Sequence, residues 1–154
     1  MFKLHPTLER DTTEITRLSL CRVLLLRDKT YPWVVLVPER DGLRDLDDLP
    51  DEDRVQAMDE IDRVSKAMKA VFTPYKMNVA ALGNVVEQLH IHVIARFESD
   101  PAWPAPIWGA HPPEEYDESA RAEISTRIPD ALAAQPLSSP ARHTVTGPLP
   151  PPSL

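Results

Sequence analysis

Two short apolar runs lie close together in the first quarter of the chain. Residues 18–27 read LSLCRVLLLR and residues 33–38 read WVVLVP, with the turn-forming DKTYP between them. Aliphatic and β-branched runs bounded by Asp and Pro are typical of β-strands. We therefore predict two antiparallel strands joined by a turn.

A long amphipathic helix is predicted next. The acidic stretch RDGLRDLDDLPDED (residues 40–53) carries Pro50 near the expected helix start, where its missing N–H costs least, so the helix should begin close to residue 49. Pro74 should end it. Between these limits apolar side chains recur at steps of three and four, which predicts one buried stripe of Val55, Met58, Ile61, Val64, Met68, Val71 and Phe72.

Two further strands follow the helix. KMNVAAL (residues 76–82) predicts a third strand that turns at Gly83 and Asn84, and VVEQLHIHVIARF (residues 85–97) predicts a fourth. Strands on both sides of one long helix indicate an α+β fold with an antiparallel sheet.

The remainder of the chain is rich in proline. DPAWPAPIWGAHPPEE (residues 100–115) should form an ordered loop, and residues 114–128 should form a C-terminal helix that stops before Pro129. We assign residues 1–135 to one domain and the Pro-rich residues 136–154 to a disordered tail.

Composition and charge narrow the possible functions. A net charge of −7 argues against binding to duplex nucleic acid, which needs a basic face, but leaves room for a single nucleotide. Cys21 is the only cysteine, so no internal disulfide or CxxC site can form, and we expect a buried, inert thiol. The longest apolar run is too short to cross a membrane, so a cytoplasmic protein with no membrane partner is expected.

The candidate chemistry lies in QLHIHVIAR (residues 88–96). Because side chains alternate along a strand, Leu89, Ile91 and Val93 would share one face while Gln88, His90 and His92 share the other. The two histidines could simply hydrogen-bond to neighbours on a half-exposed sheet. They could also bind zinc, although His5, His111 and His143 are scattered and offer no clear third ligand.

A third interpretation is covalent chemistry at phosphorus. A neutral imidazole is a good nucleophile toward phosphorus when its other ring nitrogen is held by a carbonyl. A second imidazole two residues along would lie about 7 Å away and could reach the same phosphate. Gly83 and Asn84 would add backbone and amide donors to the phosphate oxygens.

The stretch GNVVEQLHIHVIAR resembles the signature of the histidine triad (HIT) family, His-φ-His-φ-His-φ-φ with φ apolar. The resemblance extends over roughly residues 18–110 and implies a HIT-like α+β fold and a homodimer. It also implies that His90 is the nucleophile that forms a nucleotidyl-phosphohistidine, that His92 contacts the scissile phosphate, and that Asn84, preceded by Gly83, takes the place of a phosphate-binding glutamine. Two departures are evident: Gln88 replaces the first histidine, and Trp33 stands where many members have another histidine.

The resemblance also gives expectations for the rest of the site. Asp28 would hold the ribose hydroxyls, with Trp33 and Trp103 nearby on the nucleoside side, although both Trp103 and Trp108 could instead cap the core. No protein-bound metal or cofactor is required, but a divalent metal could accompany the substrate.

The expected function is a HIT-type nucleotide hydrolase or nucleotidyltransferase. It would act at the α-phosphate of a nucleoside monophosphate derivative, such as a phosphoramidate or a dinucleoside polyphosphate. Because Gln88 cannot ionise near pH 7, a nucleotide-binding protein with weak or no turnover is the main alternative, and a metal-dependent hydrolase that uses His90 and His92 is another.

Overall fold

The computed structural model of the chain describes residues 1–136. The predicted tail, apart from Pro136, lies outside these residues. The described part contains helices α1 to α3 and strands β1 to β5, in the order α1 Pro6–Asp11, β1 Thr12–Arg17, β2 Cys21–Leu26, β3 Trp33–Pro38, α2 Asp51–Phe72, β4 Lys76–Ala80, β5 Ile91–Arg96 and α3 Glu118–Ala133.

The five strands form one antiparallel sheet in the order β1-β2-β3-β5-β4. This arrangement, with the long α2 and the C-terminal α3, confirms the predicted α+β fold. The central position of β5 matters most, because it places His92 opposite Val35 and Ile94 opposite Trp33 on β3.

The two faces of the sheet have different coverings. Ile91, Val93 and Ala95 of β5 join the main core, which includes Val64 of α2 and Ile128 of α3. On the other face, the N-terminal segment packs on Leu24 and Val35, while Ile94 packs with Ala102 and Ile107 of the loop that follows β5. The long helices α2 and α3 therefore cover one face, and the His92 face is covered by the N-terminal segment with the short α1 and by the loop after β5.

The N-terminal helix and first strand were not predicted. Each has only six residues, and β1 lies at the edge of the sheet with Thr12 as its one buried residue. Such a strand carries little periodic signal. His5 starts α1 by accepting the Thr7 backbone N–H on its ring Nδ1.

Helix α2 begins at Asp51 with Pro50 as its N-cap, two residues later than predicted, and its buried face is rotated from the predicted stripe. Val55 and Met58 are 73% and 65% exposed, so the prediction that they are buried was wrong. The residues that α2 does bury are Ala57, Glu60, Val64, Ala67 and Met68.

Glu60 explains this rotation. Its side chain is fully buried, and its carboxylate accepts the backbone N–H groups of Leu20 and Cys21 at 2.8 and 2.9 Å, together with the side-chain amide of Gln56. A buried carboxylate is tolerated only with such partners. Glu60 thus fixes α2 to the turn between β1 and β2, beside the buried Cys21, whose thiol pKa is raised by burial.

Several other boundaries also differ from the prediction, as at β2, which is Cys21–Leu26, and β4, which ends at Ala80. The fourth predicted strand is shorter than residues 85–97, because β5 begins only at Ile91. Helix α3 begins later, with Asp117 as N-cap, and continues through Pro129 to Ala133. Pro129 costs a backbone hydrogen bond, but Ile128 and Leu132 on either side of it are buried in the core and hold the helix together.

Within residues 1–136, no helix combines the length and the apolar character needed to cross a membrane.

Candidate active site

The structure brings the two histidines into contact. His90 directly precedes β5 and His92 is its second residue, yet their ring centroids are only 4.9 Å apart, with the planes 68° from parallel. Both are largely buried, at 8% and 7% exposure. The pair thus forms a compact unit rather than two separate surface groups.

Each ring is held through its Nδ1 atom. The His90 Nδ1 lies 2.7 Å from the backbone carbonyl oxygen of Gln88. The His92 Nδ1 accepts the indole N–H of Trp33 at 3.0 Å. The Nε2 atoms of both rings are therefore the nitrogens left for a ligand.

The charge state of His92 follows from its surroundings. Burial, and secondarily the neighbouring His90, lower the pKa of His92 to about 4. The ring is therefore neutral at pH 7.

The side chain of Gln88 binds the N-terminal segment. Its side-chain N–H donates to the carbonyl oxygen of Lys3 at 2.9 Å, and its side-chain oxygen accepts the backbone N–H of His5 at 2.9 Å. Gln88 thus anchors residues 3–5 beside the histidine pair.

The loop after β5 brings Trp108, not Trp103, to the histidines. The Trp108 ring centroid is 5.2 Å from that of His92 and 6.3 Å from that of Trp33. Trp103 instead packs against Tyr75 and lies over the guanidinium of Arg96. Trp103 thus lies over Arg96, and its expected role on the nucleoside side stays a prediction from the sequence.

Arg96, the last residue of β5, is buried. Its guanidinium donates to Asp100, to the Asn78 side chain and to the Ala105 carbonyl at 2.8, 2.8 and 2.9 Å. Arg96 is therefore a structural residue that holds the loop, and it does not lie free at the strand end.

A pocket of about 780 Å³ opens beside the tryptophans. Its lining includes Trp33 and Trp108, which both contact His92. Its polar lining comes from segments that the sequence did not single out, namely Arg10, Asp11, Arg27, His111 and Glu115, together with Asp28. The repeated Arg-Asp pairs at 10–11 and 27–28 were the one available signal, and it is weak.

Asp28 borders this pocket, but one of its oxygens is occupied. Its Oδ1 accepts the backbone N–H groups of Thr30 and Glu114 at 3.0 and 3.1 Å. Asp28 also forms an isolated β-bridge with Glu115. It thus fastens the segment before α3 to the end of β2, and only its second oxygen is left for a ligand.

Gly83 and Asn84 precede the histidines in an exposed turn. Gly83 has a φ of 70°, in the left-handed region that favours glycine. Asn84 follows it with an exposed side chain.

Comparisons with known proteins agree with this geometry. The family model for the HIT domain matches residues 7–99, more than half of the chain. The chain belongs to the HIT family. Comparison with curated proteins gives no match.

Solved HIT structures resemble the whole domain. A histidine triad protein from Marinobacter aquaeolei is 44% identical with a TM-score of 0.84, and the alignment covers 86% of this chain and 97% of that one. A histidine triad protein from Bradyrhizobium japonicum is 40% identical with a TM-score of 0.84, covering 85% and 98%.

Within residues 1–136 no three His, Cys, Asp or Glu side chains come together as a metal site would require. The zinc alternative therefore gains no support from this part of the chain.

The low pKa of His92 predicts how the free energy of unfolding depends on pH. Its pKa is about 4 in the folded protein, against 6.5 for an ordinary histidine. Between these values the unfolded chain binds a proton that the folded protein does not, so the free energy of unfolding falls as the pH falls. From pH 7 to pH 5 we expect a loss of about 2 kcal/mol from this residue, measured by urea unfolding. His92→Gln should abolish that part of the slope; an unchanged slope would show that His92 titrates normally.

The hydrogen bond from the His5 backbone N–H to Gln88 predicts slow hydrogen exchange at that amide. In Gln88→Ala the backbone N–H of His5 loses its acceptor, so its hydrogen exchange should accelerate roughly 5- to 10-fold, as expected for a net hydrogen-bond contribution of about 1 kcal/mol. Exchange measured by NMR at the His5 amide tests this. Glu87→Ala is the matched control, because Glu87 is exposed and pairs with Arg44 instead. Equal acceleration in both variants would refute the anchoring role.

Proposed function

We propose that this HIT protein is a nucleotide hydrolase or nucleotidyltransferase that acts at the α-phosphate of a nucleoside monophosphate derivative. Family membership supports a nucleotide-binding or hydrolase-type function. The proposed reaction passes through a nucleotidyl group bound to His90, and phosphoramidates and dinucleoside polyphosphates are the substrate types we expect.

The contact between His90 Nδ1 and the Gln88 carbonyl carries this proposal. A carbonyl oxygen can only accept a hydrogen bond, so Nδ1 carries the ring proton and Nε2 of the neutral ring bears a free electron pair. That pair attacks the α-phosphorus, and the bond to the leaving group breaks with its electrons going to the leaving group. Water then attacks phosphorus, the P–N bond breaks with its electrons returning to His90 Nε2, and the proton lost by the water balances the charge taken by the leaving group.

His92 and the turn at Gly83 and Asn84 are the proposed phosphate-binding groups. The His92 ring lies edge-to-face against His90, within reach of a phosphate held at His90. Backbone and amide donors of the turn would stabilise charge on the oxygens. Because Gln88 cannot ionise and its amide already binds Lys3 and His5, its proposed role is to support His90 through its carbonyl rather than to transfer protons.

The pocket beside Trp33 and Trp108 is the proposed nucleoside site. Its volume of about 780 Å³ is large enough for a nucleoside, since ligand pockets commonly span 300–1,000 Å³. Asp28 offers its second oxygen to the ribose. The buried Trp108 indole N–H has no hydrogen-bond partner among residues 1–136 and can donate to a bound nucleotide. Trp103 is not part of this proposal.

The scheme needs no protein-bound metal, although a divalent cation could accompany a polyphosphate substrate. A cytoplasmic location also remains a prediction from the sequence.

A homodimer is part of the proposed function, with a second copy of the chain covering an apolar surface on α2 and β4. Val55 and Met58 are exposed on α2. Val79 of β4 is 45% exposed and lies opposite Val93, on the sheet face that α2 covers. Because β4 ends the sheet, its outer backbone edge has no strand partner within residues 1–136.

The covalent intermediate is tested by intact-mass spectrometry. The protein is quenched during incubation with adenosine and guanosine phosphoramidates and dinucleoside polyphosphates. We expect a transient gain of one nucleotidyl group in the wild type and none in His90→Ala. His143→Ala, outside the matched residues 7–99, is the histidine control and should retain the adduct.

The possible results separate the competing functions. Substrate consumption without an adduct, unchanged in His90→Ala, would overturn the proposed mechanism. Nucleotide binding by calorimetry without any consumption would identify a binding protein instead.

The dimer is tested by light scattering coupled to size exclusion. We expect twice the chain mass for the wild type and the monomer mass for the double variant Val55→Glu, Met58→Glu, because two carboxylates in an apolar interface are costly to desolvate. Ala122→Glu, at an exposed position of α3, should remain dimeric. A monomeric wild type would contradict the proposal.

A further inference from the structure

We propose that Trp33 is a positioning residue that fixes the ring proton of His92 on Nε2, opposite to the arrangement on His90. The two imidazoles would then offer complementary groups, a free electron pair and an N–H donor. The catalytic meaning of this pairing rests on the proposed function, but the pairing itself does not.

The proton assignment follows from one hydrogen bond. The Trp33 indole nitrogen lies 3.0 Å from His92 Nδ1. An indole N–H can only donate, so His92 Nδ1 must be the acceptor. A neutral imidazole has one donor and one acceptor nitrogen, which leaves the proton on Nε2.

The His92 ring stays neutral near pH 7. Burial and the adjacent His90 lower the pKa of His92 to about 4. A protonated His92 would also place an N–H at Nδ1 against the indole N–H. The Trp33 hydrogen bond and the low pKa thus favour the same neutral form.

The sheet holds the indole in place. Trp33 lies opposite Ile94, and Val35, two residues further along β3, lies opposite His92. The Trp33 and His92 ring centroids are 5.5 Å apart, and the Trp108 ring packs edge-on against Trp33. Because both partners belong to paired central strands, the donor and the acceptor are positioned by backbone register.

The pairing separates the roles of two otherwise similar residues. The Nδ1 atom of His90 donates to a carbonyl oxygen, whereas the Nδ1 atom of His92 accepts an indole N–H. Only His90 then presents a nucleophilic Nε2, and only His92 presents an N–H to a phosphate oxygen. In the proposed reaction this prevents His92 from competing as the nucleophile.

The test is a long-range ¹H–¹⁵N correlation spectrum of the full chain with ¹⁵N-labelled histidine at pH 7. We expect His92 as the neutral Nε2–H form, and we expect the neutral form of His90 to carry its proton on Nδ1. His90→Ala and His92→Ala assign the signals. This spectrum is recorded with Trp33 unchanged. It therefore gives the proton positions even if substitutions at Trp33 unfold the protein.

Trp33→Phe tests the cause. It keeps an aromatic ring but removes the donor, so the His92 signals should shift toward a mixture of the two neutral forms. Trp108→Phe is the matched control, because Trp108 contacts the same ring without donating to it. It should leave the His92 proton on Nε2.

Activity provides a separate readout. If the wild type turns over a nucleotide, Trp33→Phe should lower kcat roughly 10- to 100-fold with a smaller change in KM, since an oxyanion donor is weakened in the transition state. His92 observed with its proton on Nδ1, or equal spectral changes in both tryptophan variants, would overturn the inference. Failure of turnover alone, with the expected spectra, would overturn only the proposed function.

Discussion

Arg96 is the constraint on which the arrangement around the histidines depends. Its side chain is 1% exposed, and its fork of donors binds Asp100, Asn78 of the edge strand β4, and the Ala105 carbonyl. A buried guanidinium is stable only when its charge and its N–H groups are matched in this way. The loop after β5 is thus fixed at two points beyond the strand, and this fixed path carries Trp108 onto His92.

One short segment combines anchoring and chemistry. Gln88 binds the N-terminal segment through Lys3 and His5, and Arg96 binds the loop that follows β5. His90 and His92 lie between these anchors and face the same side. Because the odd-numbered residues Ile91, Val93 and Ala95 are buried against the helices, the even-numbered side chains have little freedom to shift relative to one another. The packed core beneath the site therefore restricts the movement of these side chains.

The sequence was most informative where one physical rule dominated. Alternation in QLHIHVIAR correctly separated the packing side chains from Gln88, His90 and His92, even though His90 precedes the strand. Rules failed where tertiary contacts outweighed local preference. Glu60 is buried because two backbone N–H groups of a distant turn need an acceptor, and this rotates the buried face of α2 away from Val55 and Met58. The bond from Trp33 to His92 spans 59 positions and depends on the β3–β5 register, which composition and motif spacing do not encode.

The amide at position 88 suits the anchoring role better than an imidazole would. The Lys3 carbonyl and the His5 N–H are two residues apart on one chain, and Gln88 meets them with an adjacent donor and acceptor. An imidazole has its two nitrogens on different edges of the ring, and once protonated it has no acceptor at all. An amide keeps both functions at every physiological pH. The hydrogen bonds of Gln88 to the N-terminal segment therefore do not depend on pH in this range. The backbone carbonyl of the same residue still orients His90, because that contact does not depend on the side chain.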